Sequence, residues 1–245
     1  MRRLISFSVM VLLLVSMAVV PAFSQSAADI LEKMIEASGG RKPLEAIKDT
    51  TMAGEMELPS MGMSAAVTIY HKEPNKFRQE MEIMGMMMTN AFDGEVGWMF
   101  NPQSNSVEDV TGDQLEESKK GAFEFGNAAL LNPEKYGISY EFKGKETVEN
   151  KEYFVLIQTF PNDEINTMYV DTDTYLLYLV KQKGTDMMGA PVDQEQFLSD
   201  YKKVDGVMAA HSMTVLQGGE EFAIFALTEI KYNSDLEDSL FAKEK

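Results

Sequence analysis

Few residues of this chain are of the types that do chemistry, and their spacing narrows the field further. The 245 residues include two histidines, His71 and His211, in different strand-like stretches, and no cysteine. That count excludes thiol catalysis and a three-histidine zinc site. A lone strand histidine is far more often a rim or packing residue than a base or a ligand. The 39 acidic residues could supply an acid–base pair, yet none stands apart from the charge that solvates the surface around it. Asp171-Thr172-Asp173-Thr174 looks like the start of a calcium loop but lacks the following glycine and the distal glutamate, so a hairpin turn is the better reading. No catalytic residue, metal site or cofactor is expected.

The unusual side chain is methionine, with 19 copies and clusters at Met61/Met63, Met84/Met86–Met88 and Met187/Met188. Core filling is the plain account. A sharper one is that unbranched, polarizable thioethers repack around apolar ligands of different shape. The third is Cu(I) ligation by soft sulfur. Copper sites usually join Met to His or Cys, and Met86–Met88 lies inside a strand pattern, so flexible apolar lining fits best. Trp98, the single tryptophan, reads as a core residue beside the Asp93-Gly94 turn.

The elements that must position such a lining are mostly strands. From Lys76 to Ile83 the apolar Phe77, Met81 and Ile83 alternate with Lys76, Arg78, Glu80 and Glu82, the pattern of a strand wet on one face only. An apolar run over 84–92 follows, closed by Asp93-Gly94, a tight-turn dipeptide, before Val96, Trp98 and Phe100. Upstream, Met52, Met56 and Leu58, then Met63, Ala65, Val67 and Ile69, mark two more strands. Seven further strands are predicted over 138–143, 153–160, 165–171, 175–183, 192–203, 211–217 and 222–232. Two of these, YFVLIQTF and YLLYLV, are apolar on both faces, as expected between helices on one side and an enclosed cavity on the other.

Helices are few. Ser26, with Asp29 three residues on, can cap a helix whose stripe is Ala27, Ile30, Leu31, Met34 and Ile35, ended by Gly39-Gly40. Pro43 suits the first turn of a second, with Leu44 and Ile47 inward. Residues 111–132 interrupt the β pattern with helix formers, acidic at Asp113, Glu116 and Glu117 and basic at Lys119-Lys120. Their buried contacts would be Phe123, Phe125, Leu130 and Leu131. A helix inserted midway through antiparallel strands is placed to lie across the open side of a curved sheet, as a lid. The final DSLFAKEK reads as a short turn and a frayed tail.

Residues 1–24 carry Arg2-Arg3, an apolar run from Val9 to Val20, Pro21 and the small-x-small site Ala22-Phe23-Ser24, the pattern of a cleaved secretory signal. The run is about half of the roughly 20 residues a membrane span needs. A soluble exported protein beginning near Gln25 is expected, with residues 25–245 as one domain, since no linker or tandem repeat divides it. With no cysteine, neither disulfides nor a lipid-bearing thiol are available. Net charge is −17, and without the two leader arginines 20 basic residues face 39 acidic ones, leaving −19. Such a surface repels phosphate backbones and anionic bilayers, which argues against nucleic acid.

Three segments carry a resemblance: EASGGRKPLEAIKD at 36–49, EPNKF at 73–77 and AFDGEVGWMFNP at 91–102. A helix before a strand that ends in a Pro-Asn motif, then a strand pair with an Asp-Gly turn, an aromatic residue and Asn-Pro, resembles the LolA-like outer-membrane lipoprotein-sorting proteins. The resemblance implies a mainly β (α+β) fold, a single curved antiparallel sheet forming an incomplete barrel closed by a few helices. It further implies a periplasmic carrier whose hydrophobic cavity takes the acyl chain of a lipid or lipoprotein, with membrane-protein donor and acceptor, and a monomer is expected. Val67, Ile69, Phe77, Met81 and Ile83 match inward-facing sheet positions and are the expected cavity residues. Those carriers place before the proline an arginine that hydrogen-bonds the lid shut. Here it is Glu73, which lacks a donor when ionised. The alternative reading is a periplasmic sensor module that binds a protein partner.

Overall fold

The computed structural model describes residues 25–186 and 190–243; the expected leader and the Met187/Met188 pair lie outside them. Helix α1 spans Ala27–Ala37. Its N-terminus is a capping box: Ser26 Oγ accepts the Asp29 N–H at 3.2 Å while Asp29 accepts the Ser26 N–H at 3.0 Å. Such a cap is worth about 1 kcal/mol. Ile30, Leu31, Met34 and Ile35 form its buried stripe. At Gly39 a Cβ would stand 2.5 Å from the Gly206 carbonyl, so the helix exit needs a residue without one. Helix α2 follows at Arg41–Ala46 and buries Leu44.

Thirteen strands make one antiparallel sheet. The first six are β1 Asp49–Leu58, β2 Met63–Lys72, β3 Lys76–Ile83, β4 Met86–Phe92, β5 Gly97–Asn101 and β6 Ser106–Val110. After helices α3 (Asp113–Glu124) and α4 (Ala128–Leu131) come β7 Ser139–Val148, β8 Lys151–Thr159, β9 Ile165–Asp171, β10 Leu177–Thr185, β11 Pro191–Val204, β12 Val207–Gln217 and β13 Glu220–Tyr232. Across the sheet the order runs β6 to β1, then β13 down to β7. Two meanders are thus joined along β1 and β13, and the sheet stays open between β6 and β7. Those edges are consecutive in sequence, so the chain between them has to cross the mouth. The insert at α3 and α4 lies over the open side for that topological reason.

Strand β6 is absent from the sequence-based reading. Its residues Ser106, Glu108 and Asp109 have no apolar alternation, because a short, charged edge strand resists pairing with other chains. Met84, expected within a strand, instead sits at φ 53° and with Gly85, at φ 77°, makes the two-residue β3–β4 turn. At the next turn Asp93 Oδ1 accepts the N–H groups of Glu95 and Val96 at 2.9 and 2.8 Å.

The concave face carries most of the core. Val67, Ile69 and Phe77 are buried with Met56, Leu58, Ala65 and Phe92 at one end. Helix α1 packs Ile30, Leu31 and Met34 on Phe154, Leu156, Met168 and Val170 at the other. Strand β8 is buried on both sides, but its second face does not look into a cavity. Tyr153 and Val155 there join Tyr169 and Leu179, roofed by a Tyr153–Tyr178 stack at 4.6 Å and Phe197. Aromatic side chains long enough to cover their own neighbours replace the expected enclosed space.

The tail at 236–243 is docked rather than frayed. Phe241 is 0 % exposed, and its carbonyl accepts the indole N–H of Trp98 at 2.9 Å. Arg78 donates to the Leu240 carbonyl at 2.9 Å, and Lys72 and Lys76 pair with Asp238 at 2.8 and 3.0 Å. Buried Asp49 accepts the N–H groups of Ser234 and Leu236. Trp98 is therefore a core residue, as expected, but the cover over it comes from the far end of the chain.

Candidate functional site: a lidded apolar cavity

Between the concave sheet and the helices lies a cavity of about 410 Å³. That is within the range of about 300–1,000 Å³ usual for small-molecule sites. Met34 of α1 and Met52 and Ile69 of β1 and β2 line one side; Met168, Val180, Leu198, Met213 and Phe225 of β9 to β13 line the other. Phe123, Phe125 and Leu130 close it from the lid. The walls are apolar because every strand turns alternate residues to this face and those residues are mostly Met, Leu, Ile, Val and Phe.

Of the cavity residues expected from sequence, Ile69 borders this space. Phe77 borders a second one of about 310 Å³, lined also by Gln79, Asn90, Gln114 and Glu117. Val67 is buried in the adjoining cluster, against which Met81 and Ile83 pack half-buried. Among the lid residues, Phe123, Phe125 and Leu130 line the larger cavity, while Leu131 is buried beside Ile35 and Leu44. Phe125 stacks on Phe77 with ring centroids 5.0 Å apart, so this pair is the partition between the two spaces.

The lid is held at the end of β2. His71 Nε2 lies 3.0 Å from the Ala122 carbonyl, and Glu73 Oε1 accepts the Asn127 N–H at 2.6 Å. Burial pushes the His71 pKa down to about 4, so the ring is neutral and donates through Nε2, which leaves Nδ1 buried without a partner. Burial raises the Glu73 carboxyl, against the pull of Asn127 and Lys48. Gly126 fits between the two: a Cβ would stand 2.5 Å from His71 Cε1 and 3.0 Å from Glu73 Oε1. Where the resemblance implied a donating arginine, the bond to the lid has reversed polarity, with a carboxylate accepting from lid backbone.

No protein-family model matches the chain, and no curated protein sequence does. Solved structures do. A DUF1329 family protein from Desulfovibrio piger aligns over 88% of this chain and 96% of its own, at 14% identity and TM-score 0.59. A LolA superfamily protein from Nitrosomonas europaea aligns over 90% and 99%, at 14% identity and TM-score 0.56. A domain assigned to outer membrane lipoprotein sorting, from Vibrio parahaemolyticus, aligns over 86% and 97%, at 16% identity and TM-score 0.56. The fold is LolA-like.

In this LolA-like frame the methionines divide in a way the sequence did not suggest. Met84 and Met86–Met88 are exposed at and beside the β3–β4 turn, and Met61 is exposed at the β1–β2 turn. The thioethers in the cavity wall are Met34, Met52, Met168, Met208 and Met213, scattered singly along the chain. Clustering in sequence puts consecutive residues on opposite faces of a strand, so a lining has to be drawn from many strands. Sequence reasoning also missed Tyr140, Gln158 and Asn166 in the cavity wall. Gln158 and Asn166 are polar and nearly fully buried, and the only signal for them was a polar residue inside otherwise apolar strands. No described helix is long and apolar enough to cross a membrane.

Proposed function

We propose that this protein is a non-enzymatic periplasmic carrier or binder that holds the acyl chain of a lipid or lipoprotein in the larger cavity. The observation that carries the reading is a predominantly apolar hollow of about 410 Å³ between a curved sheet and a hydrogen-bonded lid. Expected export of the chain and the lipoprotein-sorting assignment of a structural relative support it. A chain of ~15 methylenes, at about 0.8 kcal/mol each, gains about 12 kcal/mol on leaving water, enough to retain a lipid that water rejects. Release then requires the lid to move, and the His71 and Glu73 contacts are the bonds that must break.

Native mass spectrometry of protein purified without detergent, followed by organic extraction, tests the reading. A lipid adduct is expected, together with saturable uptake of a fluorescent acyl probe. Met213→Trp, which fills the cavity from β12, should weaken probe binding at least about tenfold while the protein stays folded. Protein that carries no lipid and takes up no probe would refute the carrier reading.

A further inference from the structure

The cavity wall carries several polar side chains, and four of them, drawn from three strands and the lid, are joined by hydrogen bonds into one polar end. Asn166 of β9, 2 % exposed, donates through Nδ2 to Glu124 Oε1 at 2.7 Å and to Gln158 Oε1 at 3.1 Å. Gln158 of β8 donates to the Tyr140 hydroxyl at 2.7 Å, and that hydroxyl donates to the Ala129 carbonyl at 3.3 Å. All four side chains line the cavity. With Nδ2 facing two oxygens, the amide orientation of Asn166 is set, and its Oδ1 is buried with no partner.

Glu124, at the end of α3, lines the cavity and keeps 25% of its side-chain surface accessible. Enclosure raises its carboxyl pKa. Lys120, 3.9 Å from Glu124 and 3.3 Å from Glu164, is held between two carboxylates. The Asn166 amide and Tyr140 hydroxyl donors are spent inside the protein, whereas Glu124 keeps accessible acceptor surface and the Asn166 Oδ1 is buried beside it without a donor.

We propose that this polar end selects the head group of the bound amphiphile, taking a head that donates a hydrogen bond from a hydroxyl or amide N–H and disfavouring an anionic one. The tail lies along the Met and Leu walls, and the head donates to the Glu124 carboxylate and the Asn166 Oδ1 acceptor behind it. A phosphate, sulfate or carboxylate head brings acceptors to acceptors and a second negative charge beside Glu124. The inference rests on the carrier reading and names the class of ligand within it.

Three probes with one fluorescent dodecyl chain, ending in a primary alcohol, a methyl ether or a sulfate, separate the two claims. Tail burial alone ranks the ether first, since it is the least polar of the three. The expected order is alcohol about tenfold tighter than ether, with sulfate weakest. Asn166→Leu should bring alcohol and ether within about twofold, and Glu124→Gln should relieve most of the sulfate penalty. Alcohol and ether binding within threefold in the unaltered protein, or sulfate binding best, overturns head selection and leaves the carrier reading standing. Failure of all three probes to bind overturns the carrier reading itself. The unaltered protein decides the matter even if neither variant folds.

Discussion

His71 is a residue whose acid–base chemistry is altered by its place. Its pKa falls to about 4 because burial disfavours the imidazolium. Above pH 6.5 neither the folded nor the unfolded chain protonates it, and its full contribution is present. As pH falls from 6.5 toward 4 the unfolded chain takes the proton first, and that stability is lost at about 1.4 kcal/mol per pH unit, about 3 kcal/mol in all. Glu73 and Glu124, with raised pKa values, act in the opposite sense, stabilising below the ordinary carboxylate pKa and less as pH rises through their own. Urea midpoints of the unaltered protein and His71→Gln, compared from pH 4 to 7, isolate the histidine. The gap between them should change across that window, with the variant less sensitive to acid. A constant gap would assign His71 no role in the pH dependence. Gly126→Ala tests the same contact sterically. Its Cβ meets His71 and Glu73, so about 1–3 kcal/mol of lid docking should be lost and amide exchange should quicken over 122–131, with strand β8 unaffected.

At the scale of elements, the tail at 236–243 is a cover docked on the outer face of β3 to β5. Trp98 is the single tryptophan, so tryptophan emission reports its surroundings, the Phe241 carbonyl and the Arg78 guanidinium over its ring among them. Deleting residues 236–245 should shift that emission to the red and cost about 3 kcal/mol, the order expected when large aromatic side chains lose their packing. Unchanged emission would mean that Trp98 is covered by something else. The lid differs from the tail in what holds it. Its contacts to β2 are two polar bonds beside the Phe77–Phe125 stack, an arrangement that can open without unravelling a strand. Glu117 of α3 also accepts from Thr185 Oγ1 of β10 at 3.1 Å, so the lid touches both sides of the mouth it spans.

For the whole molecule, charge and topology pull in different directions. An excess of 17 negative charges over 245 residues repels itself in the compact state. The melting temperature should rise by a few degrees between about 10 and 150 mM NaCl as the Debye length shrinks from about 30 to 8 Å. A flat or falling profile would show that local pairs such as Lys72–Asp238 already offset the repulsion. Topology instead favours an open hollow. A thirteen-strand antiparallel sheet, its two meanders paired through β1 and β13 and left open between β6 and β7, curls through its twist around the cavity.

The sequence by itself determined what is periodic and what is scarce. Alternation at Phe77, Met81 and Ile83 set which face of β3 turns inward, the Ser26 and Asp29 pair set where α1 begins, and a chain with no cysteine and two histidines excluded thiol catalysis and a three-histidine zinc site. These are local properties, decided within a few residues by backbone geometry. Depth along a face is not local. Whether Ile69 or Val67 borders the void depends on how far the sheet has curled at that point, a sum over strands far apart in the chain. The same is true of Asn166, Gln158, Tyr140 and Glu124, which come from three strands and the lid and acquire a role only where the fold brings them together. Trp98 announced that it would be buried, but only tertiary structure could supply the Phe241 segment that buries it.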